Sequence, residues 1–108
     1  MSMTENEFID NARCAEHWTR LSQPPENVIW EGYLQGLRRH YHGEAFGTAN
    51  EHKLWLSLKD ETADNAKRLR GVGYLMGFEG KSGSDVAHYI SRVQPPILTC
   101  KRIPKIMR

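Results

Sequence analysis

The chain has 108 residues, 39% hydrophobic and 26% charged, with a formal net charge of +2. That length supports one domain with a thin core, and so small a net charge gives little general attraction for polyanions. No uncharged run exceeds eight residues, so no helix can cross a bilayer, and two cysteines, Cys14 and Cys100, make neither a disulfide framework nor a zinc quartet.

Thr4 followed by Glu7 is a capping box, and Phe8, Ala12, Ala15 and Trp18 recur at helical spacing behind it. Ser22-Gln23-Pro24-Pro25 ends this first helix, because each proline disfavours helix in the residue before it. Pro25 suits the first position of a second helix, with Trp30, Leu34, Leu37 and Tyr41 as its apolar stripe and Gly43 as its stop. Thr48 and Glu51 repeat the capping-box pattern. The alternation in residues 52–59 reads as a strand, but the cap in front of it predicts a short helix. A longer helix is predicted from about Asp60 to Gly80, with Ala66, Leu69, Gly73, Met76 and Gly80 along one face. Lys81-Ser82-Gly83-Ser84 breaks it, and Asp85 to Val93 forms a last helix through Val86, Tyr89, Ile90 and Val93.

The expected fold is all-α: four to five short helices in one compact domain, residues 1–93, followed by an extended basic C-terminal segment, residues 94–108. After Asp85 no acid appears, whereas Arg92, Lys101, Arg102, Lys105 and Arg108 do. The opening Met-Ser-Met-Thr-Glu-Asn-Glu is acidic where a signal peptide would be basic, and a cytoplasmic location is expected.

Residues 32–36 read Gly-Tyr-Leu-Gln-Gly and residues 73–77 read Gly-Tyr-Leu-Met-Gly. A glycine inside a helix costs about 1 kcal/mol relative to alanine, so Gly32, Gly36, Gly73 and Gly77 together cost roughly 4 kcal/mol. Spaced i, i+4, each pair flattens one helix face and admits a second backbone. Three partners fit that face: the other glycine helix within the core, the same helix of a second copy, or a ligand. Gly71-x-Gly73-x-x-x-Gly77 is not a dinucleotide fingerprint, since its last spacing is wrong and it follows Lys67-Arg68-Leu69-Arg70 rather than a strand.

The run Gly73-Tyr74-Leu75-Met76-Gly77-Phe78-Glu79-Gly80-Lys81 resembles the Gly-Tyr-x-x-Gly-x-x-Gly-basic signature of ribosome modulation factor and its small helical relatives. The resemblance implies paired short helices that bind ribosomal RNA in dormant bacterial ribosomes. It would place Tyr74, Lys81 and the Lys67, Arg68, Arg70 cluster nearest the RNA. This chain is longer than that family and lacks its dense basic composition.

Chemistry-bearing clusters are sparse. His40 and His42 point to opposite sides of a helix. Cys14 and His17 share a face but supply only half a zinc site, so no metal or cofactor is expected. No nucleophile signature or paired catalytic carboxylate occurs, and no catalytic residue is assigned. Arg38 and Arg39, interleaved with His40, Tyr41 and His42, join Lys67, Arg68, Arg70, Tyr74, Lys81, Lys101 and Arg102 as candidate nucleic-acid contacts. The expected function is a non-enzymatic helical protein that self-associates, as a homodimer, and binds another macromolecule. The alternative is an RNA- or ribosome-associated factor.

Overall fold

The computed structural model describes residues 3–93. The expected basic segment, with Lys101, Arg102 and Cys100, lies outside the described residues. Five α-helices make up the described chain: α1 (Glu5–Leu21), α2 (Glu26–His42), α3 (Ala49–Ser57), α4 (Asn65–Phe78) and α5 (Gly83–Val93). Short 3-10 turns at Gly43–Ala45 and Leu58–Asp60 flank α3. The fold is all-α, and residues 52–59 are helical rather than extended. None of the described helices is long and apolar enough to cross a membrane.

Local chemistry sets most of the boundaries. Both capping boxes form: Thr4 with Glu7 starts α1, and Thr48 with Glu51 starts α3, each side chain bonding the other residue's backbone N–H. These reciprocal bonds satisfy donors that a helix start leaves orphaned. Pro25 stands just before α2 rather than inside it, and Gly43 closes α2 at φ +66°. The predicted Asp60–Gly80 helix starts later than expected. Glu61 accepts the backbone N–H groups of Ala63 and Asp64, which holds a turn, and Asp64 then caps α4 by accepting from the Lys67 amide. At the other end, Gly80 has left the helix at φ +80°.

Two antiparallel hairpins result. In one, α1 lies along α2, with Phe8 stacked on Tyr41 at 4.3 Å. In the other, α3 lies along α4, with Trp55 stacked on Tyr74 at 5.3 Å. Gly71 lets the Leu58–Asp60 turn settle on α4, since a β-carbon there would meet the Leu58 carbonyl carbon at 2.6 Å. Helix α5 runs beside α1 and α2. Its first residue, Gly83, donates to Asn11 Oδ1 at 3.0 Å.

The hairpins join through α2 and α4, which cross in parallel at the four glycines. A β-carbon on Gly32 would strike the Arg70 carbonyl oxygen, and one on Gly36 that of Tyr74. Reciprocally, Gly73 faces the Ile29 carbonyl and Gly77 that of Tyr33. Each glycine therefore meets the carbonyl three residues before its counterpart, so an approximate twofold axis runs along the crossing. Ile29, Tyr33 and Leu37 are fully buried beside it. Each such side chain contributes roughly 1.5–3 kcal/mol, which together outweighs the helix cost of the glycines.

Candidate functional site

The approximate twofold relates residues 41 positions apart, as in Gly32 to Gly73 and Tyr33 to Tyr74. Both tyrosines are buried at the crossing, and each hydroxyl finds one partner beyond it. Tyr33 donates to the Lys81 carbonyl at 2.7 Å, while the Tyr74 hydroxyl lies 2.7 Å from His52 Nδ1. Burial raises the pKa of both phenols. For Tyr74 the Arg39 charge works against that rise and Glu51 adds to it.

Above Tyr74 a cleft of about 270 Å³ opens between the end of α2 and the start of α3. Gln35 and Arg39 of α2, Phe46 to Thr48, and Glu51, His52 and Trp55 of α3 line it. Arg39 is 8% exposed. Its guanidinium donates to the Phe46 carbonyl at 3.0 Å, and among the described residues no carboxylate lies within ion-pair distance of it. His52 rests against Phe78 with ring centroids 4.5 Å apart. Burial, then the Arg39 charge, push its pKa below the usual histidine value. A phenol is the better donor of the two, so the Tyr74 hydroxyl is assigned as donating to Nδ1, which puts the neutral ring's proton on Nε2.

The twofold-related place on the α1–α2 hairpin is also a cleft, of about 320 Å³, lined by Met3, Glu7, Asp10, Asn11, Gly80 and Ser82. Four of these, Glu7, Asp10, Asn11 and Gly80, stand 41 positions from Thr48, Glu51, His52 and Arg39 of the first cleft, 7 with 48, 10 with 51, 11 with 52 and 39 with 80. The halves therefore share a cavity and differ in its chemistry. One holds a buried arginine and a histidine; the other holds glycine, asparagine and two acids.

A third concavity, of about 220 Å³, lies between α1, α2 and α5 and is lined by Trp18, Glu26, Trp30, Ala87 and Ile90. Trp18 is 42% exposed and Leu21, one turn on, 60%. Both are costly apolar surface to leave in water. Trp18 was expected inside the α1 stripe; it sits instead at the rim of this concavity, facing Ala87 and Ile90 of α5.

No known protein family, characterised protein or solved structure matches the chain. The molecule's own geometry must place its candidate residues. Gly32, Gly36, Gly73 and Gly77 meet one another's helices, so their faces are filled from within the chain. Tyr74 is 2% exposed and stacked on Trp55, which leaves no free ring face for a base. Arg38 pairs with Glu16 at 3.7 Å and Arg70 with Glu31 at 3.0 Å. Arg68 donates to Asn65 Oδ1 at 2.7 Å. Lys67 and Lys81 are exposed, one at each end of α4. Of the candidate cations among the described residues, Arg39 alone lines one of these three clefts. Cys14 and His17 gain no further ligand: among the described residues no three potential metal ligands cluster. Burial raises the Cys14 pKa, which keeps it a thiol.

His52 was missed in the sequence. A signal existed, because Arg39 continues the row Gly32–Gly36 by three more residues. A charge in line with a close-packed face must end in a recess or a pair.

Proposed function

We propose that the chain is a non-enzymatic helical module that self-associates through its α1–α2–α5 face and presents the rest of its surface to another macromolecule. The exposed pair Trp18 and Leu21 carries this reading. A twofold interface must be self-complementary, and this face holds both halves of such a contact. Leu21 projects from it, and the groove between Trp30, Ala87 and Ile90 recedes into it. Trp is also the residue type most enriched at the centres of protein interfaces. The glycine faces do not compete for a second copy, since α2 and α4 already occupy them.

Sedimentation of the full chain tests the proposal. A dimer that weakens on Trp18→Ala or Leu21→Ala, with helical content and melting unchanged, supports it. Its affinity should barely respond to salt, because the contact is apolar. A monomer at every concentration overturns self-association. If that monomer instead binds an oligoribonucleotide with affinity that falls steeply as salt rises, the RNA reading replaces it. Exposed Lys67 and Lys81 and the resemblance of residues 73–81 to ribosome modulation factor supply that reading's support.

A further inference from the structure

The two related clefts form a comparison within one molecule. At the position equivalent to Gly80 the first cleft carries Arg39, and at that of Asn11 it carries His52. The related place carries no such cation: there the chain has already left the helix at Gly80, and the His40 ring lies against it. Burying a guanidinium beside a single carbonyl, with no carboxylate within ion-pair distance, is unfavourable for folding. Nor can the undescribed residues supply the missing acid side chain, since residues 1, 2 and 94–108 contain no aspartate or glutamate. A buried, always-charged side chain turned toward a cleft, bonded only to a neutral carbonyl, calls for a further counter-charge.

The donors around that cleft define the counter-charge. Arg39 uses one bond on the Phe46 carbonyl, and its planar fork retains further N–H groups. In the assigned tautomer, with Nδ1 accepting from Tyr74, His52 has Nε2–H to offer. Two donors of this kind, one fully charged, match the oxygens of a carboxylate or phosphate. Glu51 lines the same cleft, with Oε1 accepting the Thr48 amide at 2.8 Å. Its negative charge disfavours a long run of phosphates and leaves room for one. Trp55, packed on Tyr74 by one face, gives an apolar wall for a small organic remainder. A cleft of about 270 Å³ is just below the range of ordinary drug-sized sites, which suits a small ligand.

We propose that this cleft is a binding site for a small organic oxyanion, a phosphate or carboxylate, held by Arg39 and His52 over the Tyr74–Trp55 stack. The related cleft with Glu7 and Asp10 does not bind it. This site is independent of self-association, because it lies on the α2–α3 side and shares no residue with the Trp18 groove.

Nuclear magnetic resonance of the full chain tests it, with inorganic phosphate in one titration and benzoate in another, each against sodium chloride at matched ionic strength. The His52 ring and Arg39 Nε–H signals should shift and saturate with at least one of the two anions. Saturation by phosphate alone identifies a phosphoryl ligand, and by benzoate alone a carboxylate. Arg39→Gln should weaken binding about tenfold or more, as loss of one charged contact does. His52→Gln, at a half-buried position, should weaken it less, and it serves if Arg39→Gln does not fold. Asp10→Asn in the related cleft should leave it unchanged. Shifts that merely track chloride, or saturation that survives both Arg39→Gln and His52→Gln, overturn the proposal.

Discussion

The α-carbon of Gly36 lies so close to the carbonyl oxygen of Tyr74 that no β-carbon fits between them. The obstacle is backbone, which cannot swing aside as a side chain can. Alanine at position 36 would gain about 1 kcal/mol of helix propensity but force the two main chains apart, at roughly 1–3 kcal/mol or more. The clash wins. Gly36→Ala and Gly77→Ala should lower stability in thermal and chemical denaturation, and Gly36→Leu and Gly77→Leu should lower it further. Gly43→Ala is the contrast: nothing lies within 4 Å of its β-carbon, and only its backbone, at φ +66° and ψ −141°, opposes it, at about 1–3 kcal/mol. Unchanged melting of both the position 36 and the position 77 variants would show that the helices do not touch there.

Asp85 should set part of the acid limb of stability. The Ser82 backbone N–H, then its hydroxyl, hold the Asp85 carboxyl below its ordinary value of 3.8, with Lys81 and His88 adding to the effect. A depressed carboxyl contributes stability that is present above the unfolded value and lost as pH falls through the folded one. Asp85→Asn should therefore flatten the decline measured below about pH 4. The group is exposed, so the change will be small. A curve that keeps the wild-type acid slope removes Asp85 from that account.

His52 should act at milder acidity, for the opposite chemical reason. Its folded pKa is below the ordinary 6.5, first through burial and then through the Arg39 charge. Below 6.5 the unfolded chain takes up a proton that folded His52 resists, so stability drops as pH falls from 6.5 to the depressed folded value. His52→Gln should remove that part of the slope in denaturation series. The other four histidines stay as a common background. An identical slope in the variant refutes the assignment.

How far the sequence could be read depended on the reach of each interaction. Thr4 with Glu7 and Thr48 with Glu51 act over three residues, and both helix starts were legible. Glu61 also acts locally, but its role as a turn anchor looks the same in sequence as an acid opening a helix, which is why α4 was expected to begin near Asp60. The glycines announced a close approach without naming the partner, since spacing describes a face and not what covers it. Arg38 and Arg39 were indistinguishable in a basic run. Only the direction of the crossing sends one to Glu16 at the surface and the other inward. His52 joined Arg39 across thirteen positions and a change of helix, a relation no local pattern records.

The parallel sense of α2 and α4 has a topological cost. Neighbouring helices joined by a tight turn run antiparallel, so a chain that lays two side by side in the same direction must first travel home. The distance is about that of α2 itself, 17 residues at 1.5 Å each, or roughly 25 Å. Everything from Gly43 to Asp64 is that journey. It brings Thr48, Glu51, His52 and Trp55 past the end of Arg39, while the crossing is secured by other residues. The homeward stretch thus supplies most of the cleft's lining, and Gln35, Arg39 and Tyr74 join it from the crossing helices. A change at Thr48 or Glu51 therefore alters the wall of the cleft without touching the four glycines at which the two helices meet.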